Sequence, residues 1–315
     1  MNNDYLYSKT HKDISDIRLE RGSTYIFSHS AEDRSKFADS LEIKFPSVNF
    51  IQLEEVDNEN IRVVRNNSII SLRSSSQINS LIKEFSSDTL YIDVTGLDNR
   101  VCAALIRNSI STVNIAGFPS KVTTLYGEPS FYNIKKFHVE GVFNDLSEKI
   151  EGIVPLPGFA TIFPNDDEDV IFIALLGFEG GRFTHMIENV QPQRENIIPV
   201  VGVPGFRPEY PHVAYWGNRR PLEETDTWRK VKYAAANSLV EVYVLLSRII
   251  QKNPKSKIKL APIGTKPHAI GAMLCAIKYP KIVELVYDNP KKELKRTSGI
   301  GNIVECSISN LISTK

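Results

Sequence analysis

The sequence predicts an α/β protein of two tandem Rossmann-like domains with mainly parallel sheets, related by an internal duplication. Three observations predict it. Apolar runs of strand length alternate with helical patterns along the chain. The alternation stops at a stretch rich in glycine, proline and acids, Glu151–Asp169, and then restarts. Blocks of the first half recur in the same order in the second.

In the first half, "STYIFS" (Ser23–Ser28) reads as a strand, and Phe37 and Leu41, spaced i, i+4, mark a helix after it. Val48–Leu53 is a strand, Gln77–Phe85 a helix, Thr89–Val94 a strand, Asn99–Ile110 a helix and Lys121–Tyr126 a strand. Strands joined by helices at this rhythm imply crossovers, and hence parallel neighbours. The second half opens with a buried strand, Val170–Phe178, a short helix, Arg182–Val190, and a strand, Ile197–Val203. Asn237–Asn253 is the most regular helix, capped by Asn237 or Ser238. Lys257–Ile263, a helix after Pro267, Lys281–Tyr287 and Asn302–Ser309 complete the pattern. The expected domains are residues 1–150 and 170–315, with 151–169 as linker.

Block by block, "YIFSHSAEDRSKFADSL" matches "IALLGFEGGRFTHMIENV", so that Glu32 and Arg34 correspond to Glu179 and Arg182. "LYIDVTGLDNRVCAALI" matches "IKLAPIGTKPHAIGAMLC", and "VTTLYGEP" matches "VELVYDNP". Either one unit was duplicated, or two Rossmann-like domains look alike at this level.

At 315 residues, 42% of them apolar and 24% charged, the chain has the composition of a globular protein with room for two domains. A net charge of +1 gives no reason to expect nucleic acid or membrane as a partner from bulk charge, so any charge effect is local. Cys102, Cys275 and Cys306 are scattered, without CxxC spacing, and imply a reducing cytoplasmic setting with no disulfide framework and no metal site. The N-terminus is polar, and no apolar run reaches the roughly 18 residues of a membrane span. Nothing in the sequence calls for a cofactor.

Five constellations carry candidate chemistry. In "GFEGGRF", Gly177, Gly180 and Gly181 allow a tight turn at a strand end, and Arg182 offers a planar fork to phosphate. Glu179 repels phosphate, but suits a ribose hydroxyl or a pair with Arg182; a plain turn is the alternative. In "IGTKPH", Gly264, Thr265 and Lys266 are phosphate-binding candidates, Pro267 starts a helix, and His268 is either an acid/base or a cap. The spacing is not that of a Walker A loop. A long irregular segment, Val201–Lys230, carries Arg207, Tyr210, His212, Tyr215, Trp216, Arg219 and Arg220, and suits base stacking or a protein interface equally. In the first half, Arg34 follows one strand, and Asp93, Thr95, Asp98 and Arg100 follow another, at the sheet edge where open α/β folds place ligands. Lys291, Lys292, Lys295 and Arg296 form a basic loop. The catalytic candidates are His268, Glu179 and Asp93, without a nucleophile–histidine pair fixed by spacing.

With Gly177, Glu179 and Arg182 in the first turn and Gly264, Thr265 and Lys266 in a turn like "GGTK", the second half resembles the CARF group of Rossmann-like sensor domains. The related SAVED domains fuse two such units in one chain. The resemblance implies a dimerising sensor in bacterial or archaeal antiphage defence. It implies a nucleotide or cyclic oligonucleotide as ligand and an effector on a separate protein, and some members cleave their own ligand. The expectation is therefore a cytoplasmic nucleotide-binding module with Lys266, Thr265 and Arg182 on phosphate and the Tyr210–Arg220 segment over a base. Alternatives are a nucleotide-processing enzyme (phosphodiesterase, ring nuclease or N-glycosidase) and a non-catalytic scaffold of a defence complex.

Overall fold

The computed structural model describes residues 4–30, 32–85, 87–133, 146–150, 152–161, 169–292 and 296–313. In chain order the elements are α1 (Asp4–Tyr7), β1 (Ser8–His11), β2 (Thr24–Phe27), α2 (Phe37–Lys44), β3 (Asn49–Glu55), β4 (Asn60–Val63), β5 (Ile69–Ser71), α3 (Ser75–Glu84), β6 (Thr89–Asp93), α4 (Asn99–Thr112) and β7 (Lys121–Tyr132). They continue with β8 (Ser147–Ile150), β9 (Val154–Pro155), β10 (Val170–Leu176), α5 (Gly180–Val190), β11 (Ile197–Gly202), α6 (Tyr210–Glu224), β12 (Lys232–Ala234) and α7 (Leu239–Lys252). Last come β13 (Lys257–Pro262), α8 (Lys266–Lys278), β14 (Val283–Tyr287), β15 (Pro290–Lys292), β16 (Thr297–Ser307) and α9 (Ile308–Ser313).

The fold is α/β with mainly parallel core sheets, in two compact units: Met1–Tyr132 with Thr297–Lys315, and Asn133–Arg296. The first holds an eight-stranded sheet in the order β1-β16-β7-β6-β2-β3-β4-β5, in which β3, β2, β6 and β7 are parallel. The second holds a six-stranded sheet in the order β12-β11-β10-β13-β14-β9, parallel except for β9. The parallel strands run β3-β2-β6-β7 in the first unit and β12-β11-β10-β13-β14 in the second, the same order once the extra parallel edge strand β12 is set aside.

Helices start where their caps allow. Ser74 accepts from the Gln77 amide, Asp98 from Arg100, Ser238 from Glu241 and Thr265 from His268. Tyr25, Phe27, Phe37 and Leu41 build one core, and Phe172, Phe183, Met186 and Val201 the other. Each such side chain contributes about 1.5–3 kcal/mol when fully buried. α8 is buried from Pro267 to Ala276, because Gly271 lets α7 approach closely: a Cβ there would lie 2.7 Å from the Leu239 carbonyl oxygen.

Two features differ from the sequence reading. The strand around Asn302–Ser309 does not close the second half. It belongs to β16, which pairs antiparallel with β7 and β1 in the first sheet. A strand's local pattern does not say which sheet edge it completes. The segment Val201–Lys230 is not irregular throughout, since α6 occupies its centre. Pro211 sits in the first turn, where its missing N–H is not needed, and Pro221 lies in the last part of the helix. The expected linker, 151–169, and the basic loop, 291–296, lie partly outside the described residues. No described helix is long and apolar enough to cross a membrane.

Candidate functional site

The turn between β10 and α5 is built tightly. A Cβ on Gly180 would lie 1.9 Å from the Gly217 carbonyl oxygen on α6, so the two helices touch through glycine backbone. Pro221, four residues after Gly217, has no N–H with which to claim that carbonyl. Gly181 is exposed, with open space around it. Arg182 is buried, and its Nε and Nη2 each donate to an Asp288 oxygen at 2.6 Å. Its Nη1 donates to the Ile263 carbonyl at 3.1 Å and to Glu179 at 3.4 Å. Burial opposes the guanidinium charge, but Asp288 and Glu179 more than offset it and hold Arg182 protonated. The fork expected to meet a phosphate is thus filled by carboxylates. The other Glu179 oxygen is buried without a partner among the described residues.

The crevice between β10 and β13 is closed by backbone. A Cβ on Gly264 would lie 2.7 Å from the Leu176 carbonyl oxygen, and one on Gly177 3.0 Å from that of Ile263. Thr265 caps α8 and donates to the Ala236 carbonyl at 2.7 Å, while Lys266 is partly exposed beside it. His268 is fully buried, its Nε2 lying 3.0 Å from the Ala235 carbonyl oxygen. That contact makes Nε2 the protonated nitrogen and ties α8 to the loop before α7. Burial lowers the His268 pKa to about 4, so the ring is neutral.

The first unit repeats this arrangement. Arg34 is buried, donates from Nε to Glu32 at 2.6 Å and lies over the Tyr126 ring, as Arg182 lies over Tyr287. Thr297 donates to the same Glu32 oxygen at 2.9 Å. Asp93 is buried and accepts from the Thr95 amide at 2.9 Å and from the Tyr25 hydroxyl at 3.1 Å. Burial raises its pKa to about 6, against those bonds and the Arg34 charge. The Thr95 hydroxyl faces the Gly127 amide, and Arg100 pairs with Asp98 at 2.9 Å and also bonds Asn58.

An accessible site lies on α6. His212, Tyr215, Trp216, Arg219, Leu222 and Glu223 recur at helical spacing along one face, and Trp228 closes the far end. Together they line an open groove of about 670 Å³. Trp216 is 38% exposed and Trp228 50%. Arg219 lies over Trp216, 5.8 Å from its centroid, and Arg229 over Trp228 at 4.6 Å. The Tyr215 hydroxyl meets that of Tyr233 on the edge strand β12 at 2.6 Å, and burial, then this bond, raises the Tyr215 pKa. Arg207 lies outside the groove lining and pairs with Glu209 at 2.6 Å.

The structure therefore brings Tyr215 and Arg219 together, but not with the Lys266 turn. Right-handed crossovers put α5 and α6 on one face of the sheet and α7 and α8 on the other, in accord with the packing of α5 on α6 and α7 on α8. Trp228 and Asp288 had no separate signal in the sequence; each stood inside a quoted segment without a spacing rule to single it out. Compared with known proteins, the chain matches no family model and no curated sequence.

Proposed function

We propose that this protein is a nucleotide-binding module, serving a bacterial antiphage defence system as the CARF/SAVED resemblance implies, and that the α6 groove receives the base. One observation carries the reading: the chain has two tryptophans, and both line the same open groove with Tyr215, His212 and Arg219. Flat aromatic faces accept any base, and each stacked base contributes about 1–3 kcal/mol. Binding is favoured over turnover because the acid/base candidates are buried: His268 on the Ala235 carbonyl, Asp93 with Thr95 and Tyr25, and Glu179 with one oxygen on Arg182.

The two tryptophans make the groove its own reporter. Titration with the four common mononucleotides should quench the indole emission saturably, and Trp216→Phe and Trp228→Phe should each remove part of the signal. Unchanged emission and unchanged melting temperature with all four would overturn the reading.

A further inference from the structure

Resting on that reading, we propose that the ligand of the α6 groove is a linear single-stranded oligonucleotide. Its bases lie on Trp216 and Trp228, and its phosphodiesters run along Arg229, Lys230 and Lys232.

The first argument is length. From His212 to Glu223 the lining face of α6 extends roughly 16 Å at 1.5 Å per residue, before Trp228 is added. Bases along a strand are spaced about 3.4 Å apart, so one nucleotide covers only a fraction of the groove. The groove is open, with both indoles at the surface, and a chain can enter and leave along its length.

The second argument is charge. The arginines carried by α6 and its entry are neutralised: Arg219 by Glu223 at 2.9 Å, Arg220 by Glu224 at 2.8 Å and Arg207 by Glu209 at 2.6 Å. The run after Trp228 is different. Arg229 rests on the Trp228 ring, Lys230 donates to the carbonyls of Arg194 and Glu195, and Lys232 is exposed. None of the three pairs with a carboxylate among the described residues. Asp226 accepts from the Trp228 indole at 3.1 Å, so the three cations outnumber the one carboxylate at this indole, which fits a phosphate backbone with bases stacked inward.

The third argument is position and composition. Lys232 and Tyr233 lie on β12, beyond which no further strand pairs among the described residues, so a strand of nucleic acid can follow that edge of the six-stranded sheet. Interfaces with protein also use tryptophan, tyrosine and arginine, but lysine is depleted in them. Here Lys230 and Lys232 flank the aromatic surface. Stacking on the faces of rings and guanidinium groups reads no base edges, so binding carried by stacking is expected to tolerate any sequence.

The test uses the full chain, tryptophan emission, and three probes: mononucleotides, eight-residue oligo(dT) and eight-residue oligo(rA). Both octamers should bind at least ~30-fold more tightly than a mononucleotide, because several bases stack at once. The logarithm of their binding constant should fall against the logarithm of salt with a slope of about −2, as expected for three contacted phosphates on a single strand. Lys232→Glu, at an exposed position, should weaken octamer binding about 10-fold and make the salt slope shallower by about 0.7, with the melting temperature unchanged. Octamers that bind no better than mononucleotides would overturn this proposal and leave the nucleotide reading standing. Tryptophan emission indifferent to every probe would overturn both. A chain that sediments as a dimer and becomes monomeric in Trp228→Ala, with no oligonucleotide binding, would make the groove a protein interface and also overturn both.

Discussion

Arg182 binds both carboxylate oxygens of Asp288, at 2.6 Å each, with the guanidinium and the acid both buried. Removing one partner of such a pair leaves an unscreened charge in the interior. Arg182→Ala should therefore lose about 3–5 kcal/mol in urea denaturation, whereas Arg182→Met with Asp288→Leu and Glu179→Met, which removes all three buried charges together, should recover most of that loss. Because the fork is already occupied, nucleotide affinity should be unchanged in any variant that remains folded. A loss under 1 kcal/mol in Arg182→Ala, or a selective loss of binding, would return Arg182 to the ligand.

Two adjacent glycines should respond with opposite signs. Gly180→Ala would set a methyl group 1.9 Å from the Gly217 carbonyl oxygen, so α5 and α6 must separate, at a cost of roughly 1–3 kcal/mol for overpacking. Gly181→Ala meets nothing within 4 Å and should stabilise the helix by about 0.5–1 kcal/mol. Melting temperatures that move in the same direction would contradict the close approach of the helices at Gly180.

Much of the fold was legible because periodicity and caps are local signals. The parallel strands, α7 capped by Ser238, and the pairing of Glu32–Arg34 with Glu179–Arg182 were all present as patterns in the sequence. What the sequence concealed is non-local. β16 looks like any other strand, and only the free edge of β7 assigns it to the first sheet. α6 was hidden by Pro211 and Pro221, which break helices in the interior but sit near the two ends here. For the site, aromatic and arginine content pointed to Tyr215 and Arg219, but charge in sequence could not show that Asp288 neutralises Arg182 or that His268 turns inward.

The two units should respond oppositely to pH. His268 has a folded pKa of about 4, against 6.5 for the free side chain. Above pH 6.5 it is neutral in both states; as pH falls from 6.5 to 4, only the unfolded chain takes the proton, and the second unit loses about 3 kcal/mol. Asp93 has a folded pKa of about 6, against 3.8 for the free side chain. Its native form binds the proton first, so its contribution is complete below pH 3.8 and about 3 kcal/mol is lost as pH rises through 6. Native-state hydrogen exchange, expressed as opening free energies, should show α8 loosening and β6 tightening between pH 7 and 5. Asp93→Asn should flatten the β6 response, and His268→Gln, which keeps a donor for Ala235, should flatten that of α8. Parallel trends in the two units would contradict these burial effects.

Trp216 and Trp228 should separate binding from folding. Trp216 is 38% exposed and Trp228 50%, so Trp216→Ala and Trp228→Ala each remove a half-buried ring and should cost about 1–2 kcal/mol, less than a core deletion and short of unfolding the chain. Each should nevertheless weaken nucleotide binding by about 1–3 kcal/mol, roughly 5- to 150-fold, as loss of one stacking platform requires. The rings act through their faces, so Trp216→Phe should retain more affinity than Trp216→Ala, and His212→Ala, at the other end of the groove lining, should have the smaller effect. Calorimetry on the single and double variants distinguishes the outcomes. If both tryptophan variants bind a nucleotide like the wild type, the base lies elsewhere, and the carboxyl edge around Lys266 becomes the place to look. If they bind weakly only because they unfold, the melting temperature will fall together with affinity, and the phenylalanine variants will recover both.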